Sequence, residues 1–426
     1  MPPIDDHPLR YALANELHAR PFPTVTAPNQ AAYLAMKPAK DAAGRDRAAE
    51  RQHLIEFLDR FGTQHPQPDA THFSGQIGRY TLKWESHTEF VTYTIFGEGA
   101  AGVPFAPEAF AVFPEDWLAA APGTRITSAL IRVEEAPKDA ELINKVTKWF
   151  VPESLAISRV LDDALVVAGD FRIDSAGHMR FAVFARPKVG ASRIGRVVQR
   201  LCEIETYKAM AMLGLTRARG MSPDLTLIDT KLASLLSDME GTESDPADVL
   251  AQLLGVSGTI ENIGAQSAYR FAATNAYEKI VNQRIEVLRE ERFMGRQTFS
   301  EFMMRRFDPA MRTVNATERR LHVMSNRALR AGELLRTKVD VERSAQNQAL
   351  LTSMDERADQ QLRLQKTVEG LSVVAISYYA VNIALYLLGP VEGAFAISKT
   401  ILTAAVTPVV LLGVWYLLRR IQKRMD

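Results

Sequence analysis

Alternating and helical patterns of apolar residues follow one another over residues 31–135. AAYLAMK predicts a short strand, and RAAERQHLIEFLDRFG predicts a helix with its apolar residues on one face. THFSGQIGRYTLKWE and TEFVTYTIFG alternate and predict two strands joined in a hairpin through Ser86-His87. PEDWLAAAPG predicts a second helix, and TRITSALIRVEEA predicts a further strand. The order β-α-β-β-α-β is that of a ferredoxin-like sandwich.

A second, partial round of elements continues to residue 215. ELINKVTKWF predicts a helix, and LAISRVLDDALVVAGDFRID and HMRFAVFARP predict strands around the Ser175-Ala176-Gly177 turn. IGRVVQRLCEIETYKAMAMLG then predicts a helix. The two rounds form either one continuous mixed sheet or a duplicated sandwich, and the pattern leaves both open. We therefore predict an α+β domain over residues 1–215.

Helix-forming residues dominate the next 150 or so positions. We predict a helical connector over residues 216–272, with two shorter helices on either side of the exposed turn EGTESDP, and a long helical stalk over residues 273–370. Asp308-Pro309 predicts a turn between two long stalk helices. In the second of these, apolar residues recur at three-, four- and seven-residue multiples with polar interruptions, which indicates helix-on-helix packing. These residues are Leu321, Leu335, Val339, Leu350, Met354, Leu364, Val368 and Leu371.

Two apolar runs of 18 residues each lack a formal charge. Residues 371–388 read LSVVAISYYAVNIALYLL, and residues 401–418 read ILTAAVTPVVLLGVWYLL. Each is close to the length that crosses roughly 30 Å of hydrocarbon. A buried helix of a soluble protein matches one such run, but two in tandem favour a transmembrane hairpin.

The charges around these runs predict their orientation. Residues 419–426 form a basic tail, whereas the connecting loop over residues 389–400 holds only Glu392 and Lys399. Basic residues favour the cytoplasmic side, so the N- and C-termini should lie in the cytoplasm and the short loop outside. The N-terminus lacks the apolar segment of a secretory signal, which agrees with a cytoplasmic location for the bulk of the chain.

Composition and charge narrow the function only a little. Charged residues are 24% of the chain and the net charge is +1, so no nucleic-acid partner is predicted. Cys202 is the only cysteine, which excludes an intramolecular disulfide and fits a reducing compartment. The eight histidines are scattered without an HExxH or a Cys/His ligand set. No cofactor is predicted, and no catalytic motif supports an enzyme.

The densest cluster of ionisable side chains lies near the predicted hairpin turn. On a strand, Glu85, His87 and Glu89 share one face, which would suit an acid-base pair or a divalent cation. A solvated hairpin tip explains the same residues. His18 and Arg20 end an N-terminal helix, where Arg20 would bind an anionic ligand or complement the helix dipole. These five residues are the candidate ligand or metal cluster.

One further motif is a candidate for phosphate binding. GASRIGR over residues 190–196 opens a predicted helix, whose first N–H groups are free to bind an anion. The motif lacks the Lys-Ser/Thr ending of a Walker A loop, so it does not predict a nucleotide site of that class.

Three stretches together resemble an uncharacterised bacterial family of membrane-anchored proteins (DUF3422). They are NELHARPFP, KWESHTEFVTYTIF and VEGLSVVAISYY, and the resemblance extends over nearly the whole chain. It implies a location in the bacterial cytoplasmic (inner) membrane and no assigned activity.

The layout is also similar to that of CorA-type divalent-cation channels. These combine an α/β cytoplasmic domain, a helical stalk, two C-terminal spans and a basic tail. They carry Gly-Met-Asn after the first span, whereas this chain has Gly389-Pro390-Val391-Glu392. The difference counts against Mg²⁺ selectivity.

The sequence leaves three hypotheses for the function. The first is a homo-oligomer with a CorA-like gated cation pathway, in which Ser377, Tyr378 and Asn382 line the pore and Glu392 lies at its outer mouth. The second is a non-conducting scaffold or sensor that is anchored in membrane lipid and binds a cytoplasmic ligand or protein. The third is an anchored enzyme that uses the cluster around His87.

Overall fold

The computed structural model describes residues 4–16, 22–39, 44–241, 244–395 and 399–425. The chain forms two compact units. We call residues 1–243 and 251–331 the α/β unit, and residues 244–250 and 332–426 the C-terminal unit.

One mixed sheet forms the centre of the α/β unit. Its nine strands, as far as the chain is described, are β1 (Asn29–Lys37), β2 (His72–Ile77), β3 (Tyr80–Ser86), β4 (Val91–Glu98), β5 (Thr124–Glu135), β6 (Ala156–Val160), β7 (Leu165–Gly169), β8 (Met179–Ala185) and β9 (Glu291–Arg292). Their order across the sheet is β2-β3-β4-β1-β5-β8-β7-β6-β9. The β5–β8 pair is parallel, and the other pairs are antiparallel. Of the two arrangements that the sequence allowed, the continuous mixed sheet is therefore confirmed.

Long helices make up most of the rest of the chain, as the sequence predicts. The described helices are α1 (Arg10–Glu16), α2 (Arg47–Asp59), α3 (Glu115–Ala119), α4 (Asp139–Trp149), α5 (Ala191–Glu240), α6 (Pro246–Glu286), α7 (Phe299–Arg306), α8 (Asp308–Phe395) and α9 (Lys399–Met425).

The sheet buries different side chains on its two faces. On one face, Trp84 and other apolar strand residues form a core with Leu54 and Phe57 of α2 and Trp117 of α3. Because side chains alternate along a strand, the neighbours of Trp84 point to the opposite face. There Lys83 meets α5 through a hydrogen bond to Gln199, and α5 also contacts β5 and β8. The first face is thus an apolar core, and the second has a polar patch next to α5.

Two predicted single strands are in fact hairpins. THFSGQIGRYTLKWE turns at Gly78-Arg79 between β2 and β3, and Gly78 has a φ of 60°, which a glycine adopts without strain. LAISRVLDDALVVAGDFRID turns between β6 and β7, where Leu161, Asp162 and Asp163 all have positive φ. The single-strand predictions are wrong because each segment holds two alternating runs joined by a short turn, and the prediction merged them into one strand.

The predicted helix from about residue 273 to Phe307 is also wrong. Helix α6 ends at Glu286, and the chain then adds β9 to the edge of the sheet beside β6 before α7 begins. The Glu290 carboxylate accepts hydrogen bonds from the backbone N–H groups of Phe299 at 2.9 Å and Ser300 at 2.8 Å. Two of the free N–H groups at the start of α7 are thereby satisfied, which stabilises the helix after the break.

The helices of residues 216–265 are longer than the sequence predicts. Helix α5 passes through Pro223 without a break and ends at Glu240. The short helix predicted before the EGTESDP turn is the end of α5, and the one predicted after it is the start of α6. The break between them falls at the predicted EGTESDP turn, of which residues 242–243 lie outside the described part of the chain.

The C-terminal unit holds two helices that are long and apolar enough to cross a membrane. The 18-residue apolar windows in α8 and α9 have mean hydropathies of 1.8 and 1.9, and 6% and 0% of their residues are buried within the protein. A core helix of a soluble protein would be mostly buried. The exposure of these two segments therefore distinguishes them from such a helix.

Candidate functional site

The segment that joins β3 to β4 is fixed on its outer side by Arg45. Its guanidinium donates a hydrogen bond to Ser86 Oγ at 2.9 Å and another to the carbonyl of His87. Arg45 also forms an ion pair of 2.6 Å with Glu50, and both of these side chains are almost fully buried. A buried charge that is paired and hydrogen-bonded in this way holds the backbone of His87 in one place.

Glu89 fixes the same segment from the helical side. Its side chain is fully buried, and its carboxylate accepts a hydrogen bond of 2.5 Å from Arg270 and one of 2.9 Å from the hydroxyl of Tyr277, both on α6. Burial raises the pKa of the Tyr277 hydroxyl, and the negative charge of the Glu89 carboxylate raises it further. Glu89 therefore joins the sheet to α6 through a charge-assisted contact.

Aromatic rings cover this contact. The His87 ring stacks on Phe90 with a centroid distance of 4.4 Å, and Phe90 meets the edge of Tyr207 at 5.8 Å. Tyr207 on α5 stacks in turn on Tyr277 at 5.5 Å. The Glu89 carboxylate is fully buried beside these rings, and the low dielectric of such surroundings strengthens its ion pair with Arg270.

A small cavity lies beneath this segment, between the sheet and α5. Its volume is about 20 Å³, room for about one water molecule. Lys83, Glu85 and His87 line it from the sheet side, and Tyr33 from β1 meets Thr206 of α5 at 2.5 Å between the two hydroxyl oxygens. At this size the cavity has room for a water molecule beside Lys83 and Glu85, but not for a larger ligand.

A row of hydrogen bonds leads from the cavity along α5. Lys83 forms an ion pair of 3.2 Å with Glu85 and donates a hydrogen bond of 2.7 Å to Gln199. Gln199 donates to Glu203 at 2.7 Å, and Glu203 pairs with Arg284 on α6. Each polar side chain in the row has a partner, so the burial of these charges is compensated.

Burial keeps the nucleophilic groups around the cavity protonated. It raises the pKa of the Cys202 thiol well above its usual value, and the charge of Glu203 adds to the effect. It likewise raises the pKa of the Tyr33 hydroxyl, with a smaller contribution from Cys202. A thiol that stays protonated at neutral pH is a poor nucleophile, so Cys202 serves as a buried packing residue.

The residues of the predicted ligand or metal cluster are only partly brought together. Glu85 and His87 line the same cavity, whereas Glu89 faces Arg270 on α6. His18 and Arg20 lie outside the described residues. Within the described ranges, no group of three or more His, Cys, Asp and Glu side chains is arranged to hold a metal ion.

The sequence prediction missed the residues that hold the segment in place. Arg270 and Tyr277 contact Glu89 across 181 and 188 positions of the chain. Hydrophobic periodicity reports only which face of a helix is buried, so it carried no signal for these polar contacts. The local hints were Tyr277 on the buried face of its helix and an arginine two helical turns before it.

The residues predicted to line a pore lie in α8. Ser377 is buried, Tyr378 is 67% exposed, and Asn382 donates a hydrogen bond of 2.9 Å to the carbonyl of Tyr378 in the same helix. Helix α8 also includes Glu392, whose side chain lies outside the described part of the chain.

Comparison with known proteins gives a family but no function. No curated protein matches the chain. The family match does not extend to CorA-type channels, so that resemblance stays a prediction. Residues 5–425 match a family model, which confirms the resemblance of the three sequence stretches. The chain therefore belongs to the family described as protein of unknown function (DUF3422).

Proposed function

We propose that the chain is a two-span protein of the bacterial cytoplasmic membrane, with residues 371–388 and 401–418 as a hairpin and both termini in the cytoplasm. The observation that carries the proposal is the exposure of the two apolar segments. Only 6% of the residues are buried in the first and 0% in the second. Lipid would cover these apolar side chains without a free-energy cost, whereas their exposure to water is unfavourable. Helices also satisfy all backbone hydrogen bonds internally, as a membrane requires.

The α/β unit is proposed to act as a non-conducting scaffold or sensor in the cytoplasm. The segment around His87 supports this role, because it connects the sheet to α5 and α6 through Glu89 and the row that begins at Lys83. A ligand or protein that altered these contacts would shift the helices relative to the sheet within this unit. The half-sheet β3-β4-β1-β5 supports a ferredoxin-like unit, since its strands are antiparallel in the 2-3-1-4 order of that fold.

A second copy of the chain is the proposed partner of α8. Leu321 and Leu335, at two of the predicted packing positions of this helix, are buried within the protein. Five other apolar residues at those positions are more than half exposed, as a helix face in an oligomer would be in the isolated chain. They are Leu350 at 61%, Met354 at 60%, Leu364 at 67%, Val368 at 54% and Leu371 at 68%.

Particle mass and cation flux test the proposal in one preparation. The detergent-solubilised chain should have the mass of two or more copies, and proteoliposomes that contain it should admit Mg²⁺ no faster than empty liposomes. A strict monomer would contradict the oligomer. Flux that Asn382→Leu abolishes, with Thr367→Leu as a matched control outside the apolar run, would contradict the non-conducting role and support the gated cation pathway.

A further inference from the structure

A surface groove lies where the start of α5 meets the end of α6. It has a volume of about 630 Å³, within the range of small-molecule sites. Arg193, Arg196 and Arg200 line it from successive turns of α5. Gln283 and Glu286 line it from α6, and Arg289 from the turn that follows.

The charges in the groove are unbalanced. Arg289 pairs with Asp162 at 2.7 Å, and Arg200 donates a hydrogen bond of 3.2 Å to the carbonyl of Val287. Arg193 and Arg196 are exposed, and neither side chain has an ion pair or hydrogen bond to any described residue. Four arginines thus share the groove with one carboxylate, Glu286.

The arginines also repel one another. Burial lowers the pKa of Arg200, and the charges of Arg196, Arg284 and Arg289 lower it further. A protein that gathers like charges loses stability from their repulsion unless a counter-charge occupies the space between them. The ion pair with Glu203 compensates the charge of Arg284, which lies at the edge of this arginine cluster.

We propose that this groove binds a phosphate-bearing small molecule, with Arg193 and Arg196 donating to its phosphate oxygens and Arg200 supplying charge from beneath. Guanidinium groups match phosphate oxygens with two parallel hydrogen bonds, which a monovalent anion such as chloride cannot accept. Helix α5 begins at Ala191 and has no side-chain hydrogen bond at its N-cap, so the positive end of its dipole adds to the field. The site is separate from the cavity at His87 and does not depend on membrane insertion.

Calorimetric titration of the full chain in a neutral detergent tests the site, with pyrophosphate as the probe. Arg193→Gln and Arg196→Gln should each weaken binding about tenfold, the effect of one lost charge-assisted hydrogen bond. Since neither side chain has a partner among the residues that the structure describes, their unfolding midpoints should stay at the wild-type value. Arg312→Gln is the matched control, because Arg312 is exposed on α8 and does not line the groove. Its affinity should equal that of the wild type.

Two results would overturn the proposal. One is the absence of pyrophosphate binding at millimolar concentration in low salt. The other is an equal loss of affinity in Arg312→Gln, which would show attraction to general surface charge.

A second arm distinguishes a soluble ligand from a lipid headgroup, which carries the same phosphate chemistry. The titration is repeated in nanodiscs of phosphatidylcholine, with and without phosphatidylglycerol. Unchanged pyrophosphate affinity supports a soluble phosphate compound as the ligand. Affinity that phosphatidylglycerol weakens in the wild type, but not in Arg196→Gln, supports a headgroup in the same groove.

Discussion

The carboxylate of Glu89 accepts a hydrogen bond of 2.9 Å from the hydroxyl of Tyr277, which lies 188 residues further along the chain. Arg270 pairs with the same carboxylate at 2.5 Å, so one fully buried side chain ties the segment after β3 to α6. This contact explains why the KWESHTE motif is dense in ionisable groups: within the α/β unit, they connect the sheet to its helices.

Loss of the Glu89 carboxylate should destabilise the α/β unit strongly. Glu89→Ala leaves the Arg270 charge without its partner, and such a loss costs about 3–5 kcal/mol of unfolding free energy. Urea unfolding of the detergent-solubilised chain, followed by tryptophan fluorescence, measures the change. Asp116→Ala is the control, because it breaks an exposed ion pair with Arg60 and should change stability little. Equal effects of the two substitutions would contradict the account.

Stability should fall in mild acid because of His53. Burial of the ring, which stacks on Trp117 at 4.0 Å, lowers the pKa of His53 and outweighs the hydrogen bond to the Trp117 carbonyl at 2.9 Å, which raises it. The unfolded chain then binds a proton that the folded chain does not, so stability is complete above about pH 6.5 and is lost as the pH falls below it. His53→Gln should reduce the difference in urea midpoint between pH 8 and pH 5.5. An unchanged difference would show that His53 does not contribute.

Two glycines should respond to alanine in opposite directions. At Gly195, in the GASRIGR motif, a Cβ would lie 1.8 Å from the backbone oxygen of Pro23. Gly195→Ala should therefore cost about 1–3 kcal/mol or more, because the backbone of Pro23 must move. At Gly258, exposed in α6, a Cβ meets nothing within 4 Å, and Gly258→Ala should add about 0.5–1 kcal/mol through its helix propensity. Thermal unfolding of both variants gives the sign, and a stabilising Gly195→Ala would contradict the close approach.

The spacing of apolar residues along the chain predicted those helices and strands that form from contacts within their own segments. The central strands, α2 and α4 and the two apolar helices all follow from spacing within their own segments. The turn at Gly78-Arg79 had a local signal, a glycine between two alternating runs, that the strand prediction overrode. Strand β9 had none, because its two residues become a strand only by pairing with the distant β6.

The candidate site was less predictable than the fold for the same reason. Glu85, His87 and Glu89 stand out in the sequence, but strand alternation assigned all three to one face. In the structure β3 ends at Ser86, so Glu89 is free to turn toward α6. The groove at Arg196 needed two distant helix ends to meet, which single-segment periodicity does not report.

Cysteine labelling of the two ends of the proposed hairpin tests the central claim most directly. Cys202 is buried and serves as an unreactive internal control. One further cysteine is introduced in each variant, by Ser398→Cys between the apolar runs or by Gln422→Cys in the basic tail. A membrane-impermeant maleimide should label Ser398→Cys in spheroplasts and Gln422→Cys only after lysis. Labelling of Gln422→Cys in intact spheroplasts, or release of the chain from membranes by alkaline carbonate, would contradict a two-span hairpin with cytoplasmic ends.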